Sequence, residues 1–401
     1  MAGTTPRGDR LLEAVARLEG LPLPWSDLCD VILPQRVPGF APEQLDALCA
    51  AGEVVWVGRG ALGARDGRVA LFLREHAGTL LEPPALPPPE EGAAAAVFEC
   101  LGQMGASFLT EIRARVQGVR PGMGGEEVRI ALQDLAWAGW VTNDTVAPLR
   151  EARRAPRAVP RRRGTRSRPV VGGRWSRVDS LVRADTSATE RALARAHVLL
   201  ERYGVVSREA AHAEELPGGF AAVYKVLRAM EDAGRIRRGH FVEGLAGAQF
   251  AHAGAVDRLR ASRPSEDEDG IGSAEDAQVL AAVDPANPWG ALLPWPENPD
   301  AEGTRPRRIS GARVVLLRGH PVLWIGPRGR QLLTFPFPGR APEESVVPAL
   351  GALQRLPRKS GRWRLHVEEI DGRPVHRSPY VERMRGLGFA RTYRGLEMTR
   401  V

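Results

Sequence analysis

The residues best suited to chemistry lie together in one short stretch, Asp284-Pro-Ala-Asn-Pro-Trp-Gly290, with Trp295 a little further on. Two prolines restrict the backbone, so Asp284, Asn287, Trp289 and Trp295 are expected on a fixed loop. There a carboxylate, an amide and two indole faces could converge on an extruded nucleotide, the carboxylate stabilising positive charge on a sugar and activating water. The same residues suit an architectural task equally well, Asp284 capping a turn and the tryptophans welding neighbouring elements. Asp284 is therefore the candidate catalytic residue, and Asn287, Trp289 and Trp295 the candidate base pocket. The sequence leaves both tasks open.

Other catalytic patterns are poorly supported. His197, His212, His240 and His252 have no spacing that suits a metal, and Cys29, Cys49 and Cys100 form no Cys-x-x-Cys pair, so no metal or cofactor is expected. Glu368 and Glu369 precede Asp371-Gly372, which suggests a hairpin with a solvated strand end. No long apolar run marks a membrane span, and the amino terminus lacks an apolar secretory core, so the cytoplasm is the expected compartment.

The second group of candidates is basic. The formal net charge is +8, and Lys225 and Lys359 are the only lysines, so arginine supplies nearly all the positive charge. A guanidinium grips phosphate with two parallel hydrogen bonds and stacks on bases, so the bias suits contact with nucleic acid. Arg59, Arg65, Arg68, Lys225, Arg228, Arg235, Arg237 and Arg238 fall on expected helices and hairpins. Arg161, Arg162 and Arg163 fall in a stretch from Arg150 to Arg177 with eleven arginines and one acidic residue. With almost no apolar periodicity, that stretch is expected to be a disordered tether that orders on a polyanion.

One phrase, Leu-x-x-[Leu/Met]-x-x-Ala-Gly-x-[Val/Ile], defines the elements that position these residues. It occurs at Leu45 to Val54, Leu132 to Val141 and Leu227 to Ile236, with glycines at 52, 139 and 234. The apolar positions share a helical face, glycine takes the left-handed stop, and an apolar residue opens a strand. A helix followed by such a hairpin is the ending of a winged-helix unit, and the spacing makes each copy a domain rather than a short solenoid repeat.

The expected fold class is α+β: tandem winged-helix domains followed by a β-barrel-like α+β domain. The expected boundaries are 1–82 and 90–149 for two winged helices, with a proline-rich connector from Pro83 to Pro89 between them. A basic linker follows at 150–186, then a third winged helix at 187–263. In that third unit Ser207 should cap one helix and Pro217-Gly218-Gly219 launch the next. After an acidic break at Glu266 to Asp269, residues 277–401 should hold strands at 313–317, 321–325 and 331–335. A helix near 345–356, a strand over 363–370 and a terminal helix near 380–387 should complete it.

Four phrases carry a resemblance: Leu-Leu-Glu-Arg-Tyr-Gly-Val-Val at 199–206, Pro-Gly-Gly-Phe at 217–220, Phe-Val-Glu-Gly-Leu-Ala-Gly-Ala-Gln-Phe at 241–250 and Asp-Pro-Ala-Asn-Pro-Trp-Gly at 284–290. Together with residues 48–58 and 66–69, they closely resemble the carboxyl-terminal region of the bacterial large helicase-related protein family, Lhr. The resemblance implies the accessory region of a DNA-repair helicase, similar in architecture to AlkZ-like DNA glycosylases. Some members of the family are associated with removal of uracil from DNA. The AlkZ-like aspartate-proline loop lies at a place comparable to Asp284, whereas their glutamine-pair motif has no counterpart here. A Gly-x-x-x-x-Gly-Lys-[Ser/Thr] phosphate loop is also missing from this sequence, so helicase motor activity is not expected within it.

Three functions follow as expectations. The preferred one is a DNA-binding module of an Lhr-type repair helicase, gripping single-stranded or duplex DNA, or an RNA-DNA hybrid, and working with a helicase core in cis or trans. The second is a uracil-excising DNA glycosylase that uses Asp284. The third is a scaffold that forms homo-oligomers.

Overall fold

The computed structural model describes residues 7–82, 84, 87–154, 172–262, 273–299, 301–356 and 363–400. Arg161, Arg162 and Arg163, and the acidic run from Glu266 to Asp269, lie outside the described residues. The chain divides into two compact units, residues 1–29 with 33–201, and residues 30–32 with 202–401.

In the first unit, α1 (Arg7–Leu18) buries Leu11, Val15 and Leu18 on one face, the spacing of a core-facing helix. β1 (Leu23–Pro24) leads into α2 (Trp25–Asp27) and, after a π turn over Leu28–Ile32 whose last three residues are grouped with the second unit, into α3 (Leu33–Arg36). α4 (Pro42–Ala50) opens on proline, which loses no helical hydrogen bond at that position. The hairpin of β2 (Val54–Ala61) and β3 (Gly67–Leu73) follows, in an antiparallel sheet of order β1-β3-β2. α5 (Arg74–Leu80) closes this module.

The second module contains α6 (Gly92–Met104), β4 (Ser107–Phe108), α7 (Leu109–Val119), α8 (Gly125–Trp137) and β5 (Val141–Asn143). Two further elements occupy sequence expected as linker. α9 (Ala147–Arg154) crosses the expected boundary at 149, and β6 (Arg174–Arg177) inserts between β4 and β5 in the sheet. The expected short wing over Trp140 to Val146 therefore has its partner strand some thirty residues downstream, with Asn143 opposite Trp175. Trp175 is buried and Arg174 exposed, an alternation that the high density of arginine hides in the sequence.

These two modules are packed together. Trp56, fully buried, donates Nε1–H to the Thr145 carbonyl at 2.9 Å. The Val146 amide donates to the Asp46 carboxylate at 2.7 Å, and Arg150 pairs with both Glu43 and Asp46. A Cβ on Gly58 would lie 1.9 Å from the Ala136 carbonyl oxygen, and one on Gly67 2.4 Å from the Trp137 ring. Glycine at both positions is what lets the first hairpin rest on the end of α8.

The helix α10 (Ala188–Tyr203) runs across the division between the units. The second unit continues with β7 (Val205–Val206), α11 (Arg208–Ala213), α12 (Gly219–Asp232), β8 (Ile236–Gly239), β9 (Gln249–His252) and α13 (Ala253–Ala261). Its sheet order, β7-β9-β8, repeats that of the two earlier modules. Ser207 accepts a hydrogen bond from the Ala210 amide at 3.3 Å as the cap of α11, and Gly218, at φ 78°, precedes α12 as expected.

The stop motif is the same in all three modules. Gly52, Gly139 and Gly234 have φ of 75°, 83° and 71°. The amides of Glu53, Trp140 and Arg235 donate to the carbonyls of Leu48, Leu135 and Met230, each at 2.9 Å. This bond, five residues back across a left-handed glycine, ends each helix and aims the chain into β2, β5 and β8.

Beyond them, β10 (Gln278–Ala281), β11 (Arg313–Leu317), β12 (His320–Ile325) and β13 (Gln331–Thr334) form an antiparallel meander. α14 (Pro342–Gly351) packs on it through Val346, Ala349 and Leu350. The single strand expected over 363–370 is two strands, β14 (Trp363–Val367) and β15 (Glu369–Ile370), because the Glu368 and Glu369 amides both turn to the Arg330 carbonyl. β15 joins β13 in parallel and pairs with β16 (Arg373–Pro374), while β14 joins a separate sheet with β17 (Ala390–Arg391) and β18 (Leu396–Arg400) after α15 (Val381–Gly386). The larger sheet has the order β10-β11-β12-β13-β15-β16, so its pairings among the described residues end at β10 and β16. Asp371 and Gly372, at φ 53° and 77°, make the hairpin turn between β15 and β16.

Candidate nucleic-acid interface

The third module presents the most basic surface among the expected contact elements. α12 turns Val223, Leu227 and Met230 inward, which leaves Lys225 and Arg228, three apart, exposed on its outer side. Arg235, in the turn before β8, and Arg237 and Arg238 on β8 continue the patch, all exposed, with Arg238 3.3 Å from Glu231. The aromatic residues of α12 take the core position instead. Phe220 and Tyr224 pack on the buried Phe250 at centroid distances of 6.4 and 5.9 Å. The loop from β8 to β9 is held by Gln249, whose Oε1 accepts from the Phe241 and Val242 amides, both at 2.9 Å.

The first two modules differ. In α4 the carboxylates of Glu43 and Asp46 face Arg150, so this helix turns an acidic side toward the second module. Arg65 and Arg68 are exposed on the first hairpin, whereas Arg59 is partly buried near Glu82. Burial lowers the pKa of Arg59 and the Glu82 charge pushes it back up. In α8, Arg129 is engaged by Glu126 at 2.6 Å and by Gln133 at 3.3 Å.

The Asp284 loop is knitted around two buried polar side chains. Asp284 and Asn287 have no exposed surface. Asp284 Oδ1 accepts from the Ala286 amide at 2.8 Å, the side-chain turn that aspartate forms two residues on. Asn287 Nδ2 donates to the carbonyls of Ala282 and Trp289, and its Oδ1 accepts from the Trp289 amide. Trp289 donates Nε1–H to the Gly319 carbonyl at 2.9 Å, and Trp295 stacks on Phe335 at 6.2 Å.

One residue of this loop's frame was missed in the sequence. Arg308 reaches in from the segment before β11 and donates to four carbonyls, those of Val283, Asp284, Asn287 and Trp289. Burial lowers its pKa, and the neighbouring Tyr203 and Asp284 push it back up. Nothing in the run Arg305-Pro-Arg-Arg308 distinguishes this guanidinium from a solvated one. Among the described residues no cluster of His, Cys, Asp or Glu is placed to hold a metal ion, and no helix is long and apolar enough to cross a membrane.

Three glycine-stopped helices, each leading into a small three-stranded sheet, define a tandem winged-helix protein. Residues 2–74 and 185–271 both match the family described as large helicase-related protein, winged-helix domain. Over 97% of its length the chain is 39% identical to the Lhr helicase/probable uracil glycosylase of Mycolicibacterium smegmatis, of which it covers 27%. It is 36% identical, again over 97% of its length, to the Lhr helicase/uracil glycosylase of Escherichia coli, of which it covers 26%. Two winged-helix domains of this chain thus match the large helicase-related family, and the chain spans about a quarter of the length of these curated relatives. Among solved structures, the DNA glycosylase AlkZ of Streptomyces sahachiroi is similar at a TM-score of 0.47 and 18% identity, covering 90% of this chain and 97% of that one.

Proposed function

We propose that this chain is a DNA-binding module of an Lhr-type repair helicase, gripping the nucleic-acid backbone chiefly through its third winged helix. The observation that carries this reading is the exposed set Lys225, Arg228, Arg235 and Arg237 on α12, β8 and the turn between them. Cations on a helix and its adjoining strand suit phosphate contacts, which position a protein without reading sequence. The partner for such a grip is a helicase motor, in cis or in trans. Fluorescence polarisation with duplexes of unrelated sequence tests the reading. Equal affinities that fall steeply with salt are expected, and absence of binding at low salt would overturn it.

A second reading, uracil excision, is favoured by the names of both curated relatives. In that reading Asp284 would be the water-activating carboxylate, and Asn287, Trp289 and Trp295 the base pocket. Their hydrogen bonds and packing within the chain support an architectural task instead, and we assign them that task. Incubation with uracil-containing single strands followed by alkaline cleavage tests the activity itself.

A further inference from the structure

We propose that the β17–β18 hairpin is a base-stacking tip for single-stranded nucleic acid, with Tyr393 as its platform. The proposal rests on the DNA-binding reading above and adds a second contact surface to it, far in sequence from α12 and β8.

Tyr393 is 99% exposed, the most exposed of the large apolar or aromatic side chains among the described residues. An aromatic ring normally gains by burying much of its surface. Here the local structure holds the ring in solvent. β17 and β18 pair Arg391 with Leu396, so Thr392, Tyr393, Arg394 and Gly395 form the turn. The Thr392 amide donates to the Gly395 carbonyl at 2.8 Å, and Thr392 Oγ1 accepts from the Gly395 amide at 3.1 Å. A Cβ at Gly395 would meet the Val367 carbonyl oxygen at 2.0 Å, so the missing side chain lets the turn seat against the end of β14. Phe389 and Leu396, both buried, anchor the two strands. The ring is presented by a pinned turn.

Its surroundings select the partner. Arg391 and Arg394, both exposed, flank Tyr393. Between Gly372 and Leu396 the chain has six arginines and one acidic residue, Glu382. A tyrosine between guanidinium groups matches a strand whose bases stack on the ring while its phosphates meet the cations. Bases within a duplex have their faces covered by their neighbours, so the fit is to unpaired nucleotides.

The test uses the full chain with 2-aminopurine-labelled single strands, read by polarisation and by base fluorescence. Tyr393→Ala should weaken single-strand binding by about 5- to 100-fold and abolish the fluorescence change on binding. Tyr393→Trp should restore both. A thermal melt of Tyr393→Ala matching that of the native chain verifies that the fold survives, as the exposure of the ring requires. Unchanged affinity and fluorescence in Tyr393→Ala would overturn the proposal. Duplex binding by the native chain reads the third-module grip separately, so the hairpin can fail while that grip stands. A native chain that binds neither form would overturn both.

Discussion

Replacement of Asp284 separates an architectural carboxylate from a catalytic one. Asp284→Ala deletes the acceptor of the Ala286 amide at 2.8 Å. It also removes a negative charge that favours the buried Arg308 guanidinium, itself bonded to the Asp284 and Val283 carbonyls at 3.2 and 3.3 Å. Loss of a charge-assisted hydrogen bond together with weakened compensation of a buried cation costs about 2–3 kcal/mol. For a unit of this size that corresponds to a fall in Tm of roughly 4–12 °C. Asp284→Asn keeps an oxygen at the accepting position and should recover much of the loss. Differential scanning fluorimetry measures the stability, and uracil release from single-stranded DNA measures the chemistry on the same samples. A native-like Tm in Asp284→Ala, with uracil release abolished in both variants, would overturn the architectural assignment and make Asp284 a catalytic group.

Three further outcomes follow from the packing. Gly58→Ala would drive a methyl group into the Ala136 carbonyl, where the open distance is 1.9 Å, and should destabilise the first unit by about 1–3 kcal/mol in chemical denaturation. Burial holds the His320 pKa below its ordinary value, so the unfolded chain takes up the proton first. Stability should therefore fall as pH drops from the ordinary histidine value toward the depressed one, and His320→Phe should flatten that part of the pH profile. Burial first, then Asp46 and Asp144, raise the Cys49 thiol to about 12, so alkylation of Cys49 near neutral pH should proceed only on unfolding, as peptide mapping would reveal.

The repeated stop motif was legible because its physics is local. A left-handed glycine after a three-spaced apolar stripe needs no tertiary partner, and all three copies formed the same five-residue closure. Turn chemistry was readable for the same reason at Ser207, Gly218 and Asp371-Gly372. The second module's closing strand was not legible. Four residues, Arg-Trp-Ser-Arg, have too short an alternation to stand out from an arginine-rich background, and β6 forms only where β4 and β5 leave a gap. The break between β14 and β15 was equally hidden, since the Arg330 carbonyl that diverts the chain lies 38 residues from Glu368. At the candidate sites, residue type pointed to the Asp284 loop and to the basic third helix. What the loop does depends on Arg308, whose contacts arise only in three dimensions. The acidic side of α4 follows the same rule, because Glu43 and Asp46 meet Arg150 from a separate module.

In the proposed reading the third winged helix grips the backbone through Lys225, Arg228, Arg235 and Arg237. The most direct measurement is the slope of log affinity against log salt for duplex DNA, in the native chain and in a variant with all four residues changed to glutamine. Each lost phosphate contact lowers the slope by about 0.9, so the variant's dependence should be shallower by about 3 to 4. An unchanged slope in a variant that retains the native melting profile would mean that these four residues do not hold the backbone.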